Sequence, residues 1–109
     1  MCILTSYTVN LKDIFSNFEG FDWDNANIRK NWLKHKVKAR ECEEVFFNIP
    51  IIIKHDKKHS KIETRFQVLG RTNEKRELFL SFSQRKNKVR IISARPMSKK
   101  ERRKYHEKS

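Results

Sequence analysis

The sequence predicts an α+β domain with helices packed on an antiparallel sheet. Three observations carry that prediction. Four runs between residues 48 and 95 are apolar or alternate apolar with polar, and short polar links join them. Two stretches before these runs space their apolar residues as helices do. A Ser-x-x-Glu cap then opens a basic segment at the end. The predicted order is β-α-α-β-β-β-β-α, with the helices on one side of the sheet.

Each element has a local reason. Residues 1–20 show no clear period beyond one possible helical turn through Leu11, Ile14, Phe15 and Phe18, and read as an N-terminal extension. Residues 21–109 read as a single domain, a size that can bury one core. Phe21-Asp-Trp23-Asp24 alternates like a short strand, and Asp24 offers an N-cap. Ile28, Trp32 and His35 fall on one helical face. A break at residues 35–37 precedes a second helix over 39–47, with Ala39, Cys42 and Phe46 inward. Pro50 fits a strand start or edge in the run 48–54.

Phe66 and Val68 bracket Gln67 in the run 64–69. In 77–83, Leu78, Leu80 and Phe82 oppose Glu77, Phe79, Ser81 and Ser83. In 89–95, Arg90 and Arg95 have opposite parity, so an unbent strand would point them to opposite faces. Pro96 ends that strand, and Ser98 with Glu101 caps a basic helix over 99–107.

Charge narrows the function. The 109 residues carry 26 Lys+Arg against 13 Asp+Glu, a net charge of +13. Residues 85–109 alone hold eleven Lys/Arg and two Glu, and so supply most of it. Such a field draws polyanions, namely nucleic acid or an acidic protein. A membrane surface fits less well, because no broad apolar helical face opposes the basic residues. Cys2 and Cys42 form no Cys-x-x-Cys pair, which argues against a zinc ribbon or disulfide framework and suits a reducing cytoplasm. No apolar run reaches membrane-spanning length, and no secretory leader is recognisable.

Several motifs, in order, resemble the BrnT toxin family. They are Phe21-Asp-Trp-Asp24, Asn31 with Lys34-His35-x-Val37, and Glu44-Val-Phe-Phe47. Arg65-Phe66, Leu69-Gly-Arg71, Arg90-Ile-Ile-Ser-Ala-Arg95 and Glu101-Arg-Arg-x-Tyr105 follow. The resemblance runs from about Phe21 to Glu107. It implies a RelE-type fold and RNA cleavage that arrests translation and growth. It also implies neutralisation by a cognate antitoxin in a hetero-oligomeric complex, with operator DNA bound only through that antitoxin. The chain departs from the family in three places: the extension before Phe21, Lys36 in place of a family glycine, and His106 where Glu is common. If position 36 needs a positive φ, Lys36 is strained there.

RNA cleavage without a cofactor or metal needs an acid, a base and fixed positive charge on the phosphate. Arginine suits the last task, because its planar fork matches phosphate oxygens. The candidate catalytic residues are Arg95, His35, Arg71, Glu63 and Tyr105, with Arg95 first for the phosphate and His35 first for proton transfer. The candidate RNA-binding residues are Lys36, Arg65, Arg90, Lys99, Arg102 and Arg103. Each has a plain structural alternative. Arg95 could bridge Glu101 or Glu107, His35 could pack with Trp32, and Tyr105 could be core. Glu101 could simply cap its helix, and Glu63 with Arg65 could form a cross-strand ion pair. His55 and His59 have zinc-like i, i+4 spacing but fall in a link with no third ligand nearby. Two other functions fit the charge: a non-catalytic nucleic-acid-binding module, and a same-fold toxin that blocks a protein such as a topoisomerase.

Overall fold

A computed structural model of the chain describes residues 18–58 and 63–108. Most of the N-terminal extension, and His59 of the histidine pair, lie outside the described residues. The elements are β1 (Gly20–Phe21), α1 (Asn25–His35), α2 (Ala39–Val45), β2 (Ile52–His55), β3 (Arg65–Arg71), β4 (Glu77–Arg85), β5 (Lys88–Pro96) and α3 (Lys99–Lys108). Their order is the predicted β-α-α-β-β-β-β-α. The described strands form one five-stranded sheet in the order β1-β5-β4-β3-β2. Strands β2 to β5 form the antiparallel meander. The short β1 joins it in parallel beside β5, so the complete sheet is mixed.

Alternation sorts the meander into two faces. Ile53, Phe66, Val68, Leu78, Leu80, Phe82, Val89 and Ile91 point to the first face and form the main core with Cys42, Val45 and Phe46 of the α2 region. Ile52, Leu69 and Phe79 point to the second face and meet Met97 and Tyr105 of the C-terminal segment. The helices therefore cover both sides of the sheet, where the sequence suggested one. The reason is Tyr105: it is buried on the second face, and its hydroxyl donates to the Pro50 carbonyl at 2.6 Å. Burying an aromatic ring with its one polar atom satisfied is favourable.

Helix α1 is also seated differently from the expectation. Trp32 is 41% exposed and His35 is exposed, while Asn31 is buried. The cause is the β5 edge beyond the short β1. Asn31 Oδ1 accepts from the Ala94 amide at 3.2 Å, and Lys30 Nζ donates to the Ile92 carbonyl at 3.2 Å. Polar side chains thus satisfy edge groups that an apolar helix face would leave unpaired. Asp24 caps the helix start, accepting from the Ala26 amide at 2.7 Å. Lys36 closes the helix with φ 54° and ψ 40°, the left-handed conformation a glycine takes most easily. No helix among the described residues is long and apolar enough to cross a membrane.

Candidate nucleic-acid interface

Basic residues gather on the second sheet face, and a bulge in β5 puts Arg90 and Arg95 there together. Ser81 pairs with Ser93, but Phe82 pairs with Ile91, so Ile92 is an extra residue. Its insertion shifts the alternation: Val89 and Ile91 are buried before it, and Ala94 after it. Arg90 and Arg95 consequently point to the same face, opposite to the expectation for a regular strand. Arg65, Gln67 and Arg71 of β3, and Lys54 of β2, share that face by register.

Helix α3 forms a wall along part of this surface. Between it and the sheet lies a groove of about 270 Å³, floored by Ile52, Leu69 and Phe79 and flanked by Lys54, Gln67, Lys100, Glu101 and Lys104. It adjoins an open cavity of about 680 Å³ that shares Lys54, Gln67 and Lys104 and adds His55, Asp56, Lys57 and Lys58. An apolar floor with ammonium groups at its flanks suits a nucleobase and its phosphate. Lys54, Gln67, Phe79, Lys100 and Lys104 were not among the sequence-derived candidates. The alternation of β3 and β4 already put Gln67 and Phe79 opposite the core, and that was the available signal.

Arg95 stands at the wall. Its Nη1 and Nη2 donate to the two oxygens of Glu101 at 2.7 and 2.8 Å, and its guanidinium lies 4.3 Å from the centre of the Phe79 ring. Glu101 Oε1 also accepts from the Ser98 amide at 2.8 Å, and Ser98 Oγ accepts from the Glu101 amide at 3.2 Å, completing the predicted capping box. The hydrogen bonds from Arg95 hold the Glu101 carboxyl below the usual carboxylate range, and the same pairing raises the guanidinium. The bridge from Arg95 to Glu101, the plain alternative to a phosphate role, is therefore present.

The other candidates are dispersed. Arg71 Nη2 donates to the Ile49 carbonyl at 2.8 Å, and Tyr105 to the neighbouring Pro50 carbonyl, so the two anchor one turn. Burial pushes the Tyr105 phenol up from its ordinary value. Glu63 lies 3.9 Å from Arg65 and 3.8 Å from Arg85, at the opposite end of the sheet from Arg95. The registers Arg65–Ser83 and Phe79–Arg95 separate those ends by four residues of β4, about 13 Å at the usual strand rise. His35 is exposed at the end of α1, and its carbonyl accepts from Arg76 at 3.1 Å. Lys36 lies over the Trp32 ring at 5.0 Å. Arg90 is 3.3 Å from Asp24, and Arg102 is 3.9 Å from Glu77. Lys99 and Arg103 are exposed on α3. Among the described residues, no three His, Cys, Asp or Glu side chains come together as a metal site.

Comparison with known proteins adds the family. The model of a family described as "Ribonuclease toxin, BrnT, of type II toxin-antitoxin system" matches residues 23–101. In three dimensions the chain is similar to the crystal structure of the Brucella abortus ribonuclease toxin, BrnT. The TM-score is 0.56 at 21% identity, over 73% of this chain and 97% of that one. At that identity the likeness is one of fold. No curated protein sequence is a significant match.

Proposed function

Because this chain belongs to the BrnT family of ribonuclease toxins of type II toxin–antitoxin systems, we propose that it cleaves RNA at the basic second face of its sheet, without a metal ion. The observation that carries this reading is that the β5 bulge turns Arg90 and Arg95 to one face, which Arg65 of β3 shares by register, with Lys54, Lys100 and Lys104 around the groove that Glu101 flanks. Fixed cations there supply the phosphate stabilisation that a metal supplies elsewhere.

In this reading an RNA 2′-hydroxyl attacks the adjacent phosphorus. The bond to the 5′-oxygen breaks, and a 2′,3′-cyclic phosphate remains. Arg95 steadies the charge on the phosphate, and its bond to Glu101 fixes the direction of its fork. Proton transfer needs a group within hydrogen-bond reach of the reacting oxygens. Lys54, Lys100 and Lys104 line the groove and can protonate the departing 5′-oxygen, while solvent water takes the proton of the attacking 2′-hydroxyl and returns one to the lysine. The distance of His35 and Glu63 from Arg95, and the engagement of Arg71 and Tyr105 with the Ile49 and Pro50 carbonyls, favour these lysines over them.

The product is arrest of translation and growth in the cytoplasm. A cognate antitoxin with an acidic segment neutralises the toxin by covering the same basic face, and operator DNA is reached only through that antitoxin. The test is incubation of the purified chain with total RNA in excess EDTA, beside Arg95→Ala and Arg95→Lys variants checked for equal folding. Degradation by the wild type, with loss in Arg95→Ala, is the expected result. Intact RNA with and without added ribosomes would overturn the reading.

A further inference from the structure

Ser83 is buried in the second face, and among the described residues its hydroxyl has no hydrogen-bond partner. A fully buried hydroxyl without a partner is costly and calls for a reason. Its neighbours suggest one. Ser83 pairs with Arg65 on one side and with Arg90 on the other, and all three side chains share a face. Two arginines thus flank Ser83 in register, in a row across three adjacent strands. Ion pairs lie around the row. Arg90 is 3.3 Å from Asp24 Oδ2, Arg65 is 3.9 Å from Glu63 Oε1, and Arg85 is 3.8 Å from Glu63 Oε2.

We propose that Arg65, Ser83 and Arg90 form a second anion seat that holds one backbone phosphate of a single-stranded RNA, away from the phosphate at Arg95. The proposal rests on the ribonuclease reading above and deepens it by naming a substrate subsite. The two arginines exchange carboxylate partners for phosphate oxygens, and Ser83 donates its unused proton to the same phosphate. The seat lies about 13 Å along β4 from the register of Arg95, so one phosphate cannot serve both. An RNA strand that runs along β4 occupies them in turn, and this fixes where the scissile bond falls.

The test is binding of a 2′-O-methyl oligoribonucleotide, which cannot be cleaved by 2′-hydroxyl attack, measured by fluorescence anisotropy across a salt series. Variants are Ser83→Ala, Arg65→Gln, Arg90→Gln and the double Arg65→Gln/Arg90→Gln. For a single strand the salt slope falls by about 0.7 for each phosphate that the protein no longer neutralises. Each arginine variant is expected to lower the slope by about that amount, and the double by no more than either single, because both side chains serve one phosphate. Ser83→Ala is expected to weaken binding about tenfold with the slope unchanged. Removal of an unpaired buried hydroxyl leaves the thermal midpoint equal or higher, so misfolding cannot account for that weakening. Slope changes that add in the double variant, or wild-type binding by Ser83→Ala, would overturn the seat while leaving the ribonuclease reading intact. Absence of wild-type binding would overturn both.

Discussion

Arg95 and Glu101 meet as a bidentate pair across the junction of β5 and α3, with N–O distances of 2.7 and 2.8 Å. They are six positions apart in the chain, and between them lie Pro96 at the strand end and the helix cap. The pair therefore couples the position of a candidate phosphate-binding arginine to the seating of the terminal helix.

The coupling has a pH signature. The Arg95 hydrogen bonds hold the folded Glu101 carboxyl below its ordinary value of 4.5. Its contribution to stability is full above that unfolded value and is lost as pH falls through the lowered folded one. Glu101→Gln is expected to cost about 1 kcal/mol near pH 7, since the pair is partly solvated. The gap from wild type should close at acid pH. Urea denaturation at several pH values measures it, and a gap constant with pH would argue against the assignment.

Tyr105→Phe removes the donor to the Pro50 carbonyl. A destabilisation of about 1–2 kcal/mol is expected. Chemical denaturation beside an RNA-cleavage assay sorts its role. Activity that falls further than the folded fraction would return Tyr105 to the chemistry.

Lys36 holds a left-handed conformation at the end of α1. Lys36→Gly and Lys36→Ala both delete the ammonium over Trp32, so their comparison isolates the backbone. Glycine should be the more stable of the two by about 1 kcal/mol, read from thermal melts. Equal stability would show that the turn carries no such strain.

Gly70 touches the main core so closely that an added Cβ would lie 2.6 Å from Val45 Cγ1. Gly70→Ala is expected to cost about 1–3 kcal/mol through overpacking. Val45→Ala in the same chain should recover part of that stability, although by itself it opens a cavity. A double-mutant cycle without coupling between the two positions would contradict the close approach.

Burial pushes the Cys42 thiol up to about 12, with Glu41 and Glu43 adding to the effect. It should resist alkylation at pH 8 in the native protein and react only on unfolding. Mass spectrometry of labelled peptides reads this directly, and rapid native labelling would contradict the burial.

The sequence by itself determined the element order, the meander and the capping box of α3. Those features follow from short-range rules: alternation in β3 and β4, apolar spacing in α2, and the Ser98–Glu101 reciprocity. It also carried the family motifs, and it placed charge in the last quarter of the chain. It could not place that charge in space. One extra residue at Ile92 reverses the parity of β5, and a bulge is a property of strand pairing that no periodicity within β5 reveals. Without that residue Arg90 and Arg95 would face opposite sides. Likewise only tertiary packing decided that α1 buries Asn31 against an open strand edge and that Tyr105 is an anchor. It also set Glu63 and His35 apart from Arg95. Each of these depends on which backbone groups and apolar surfaces remain unsatisfied once the sheet has formed, and that is settled by residues far away in the chain.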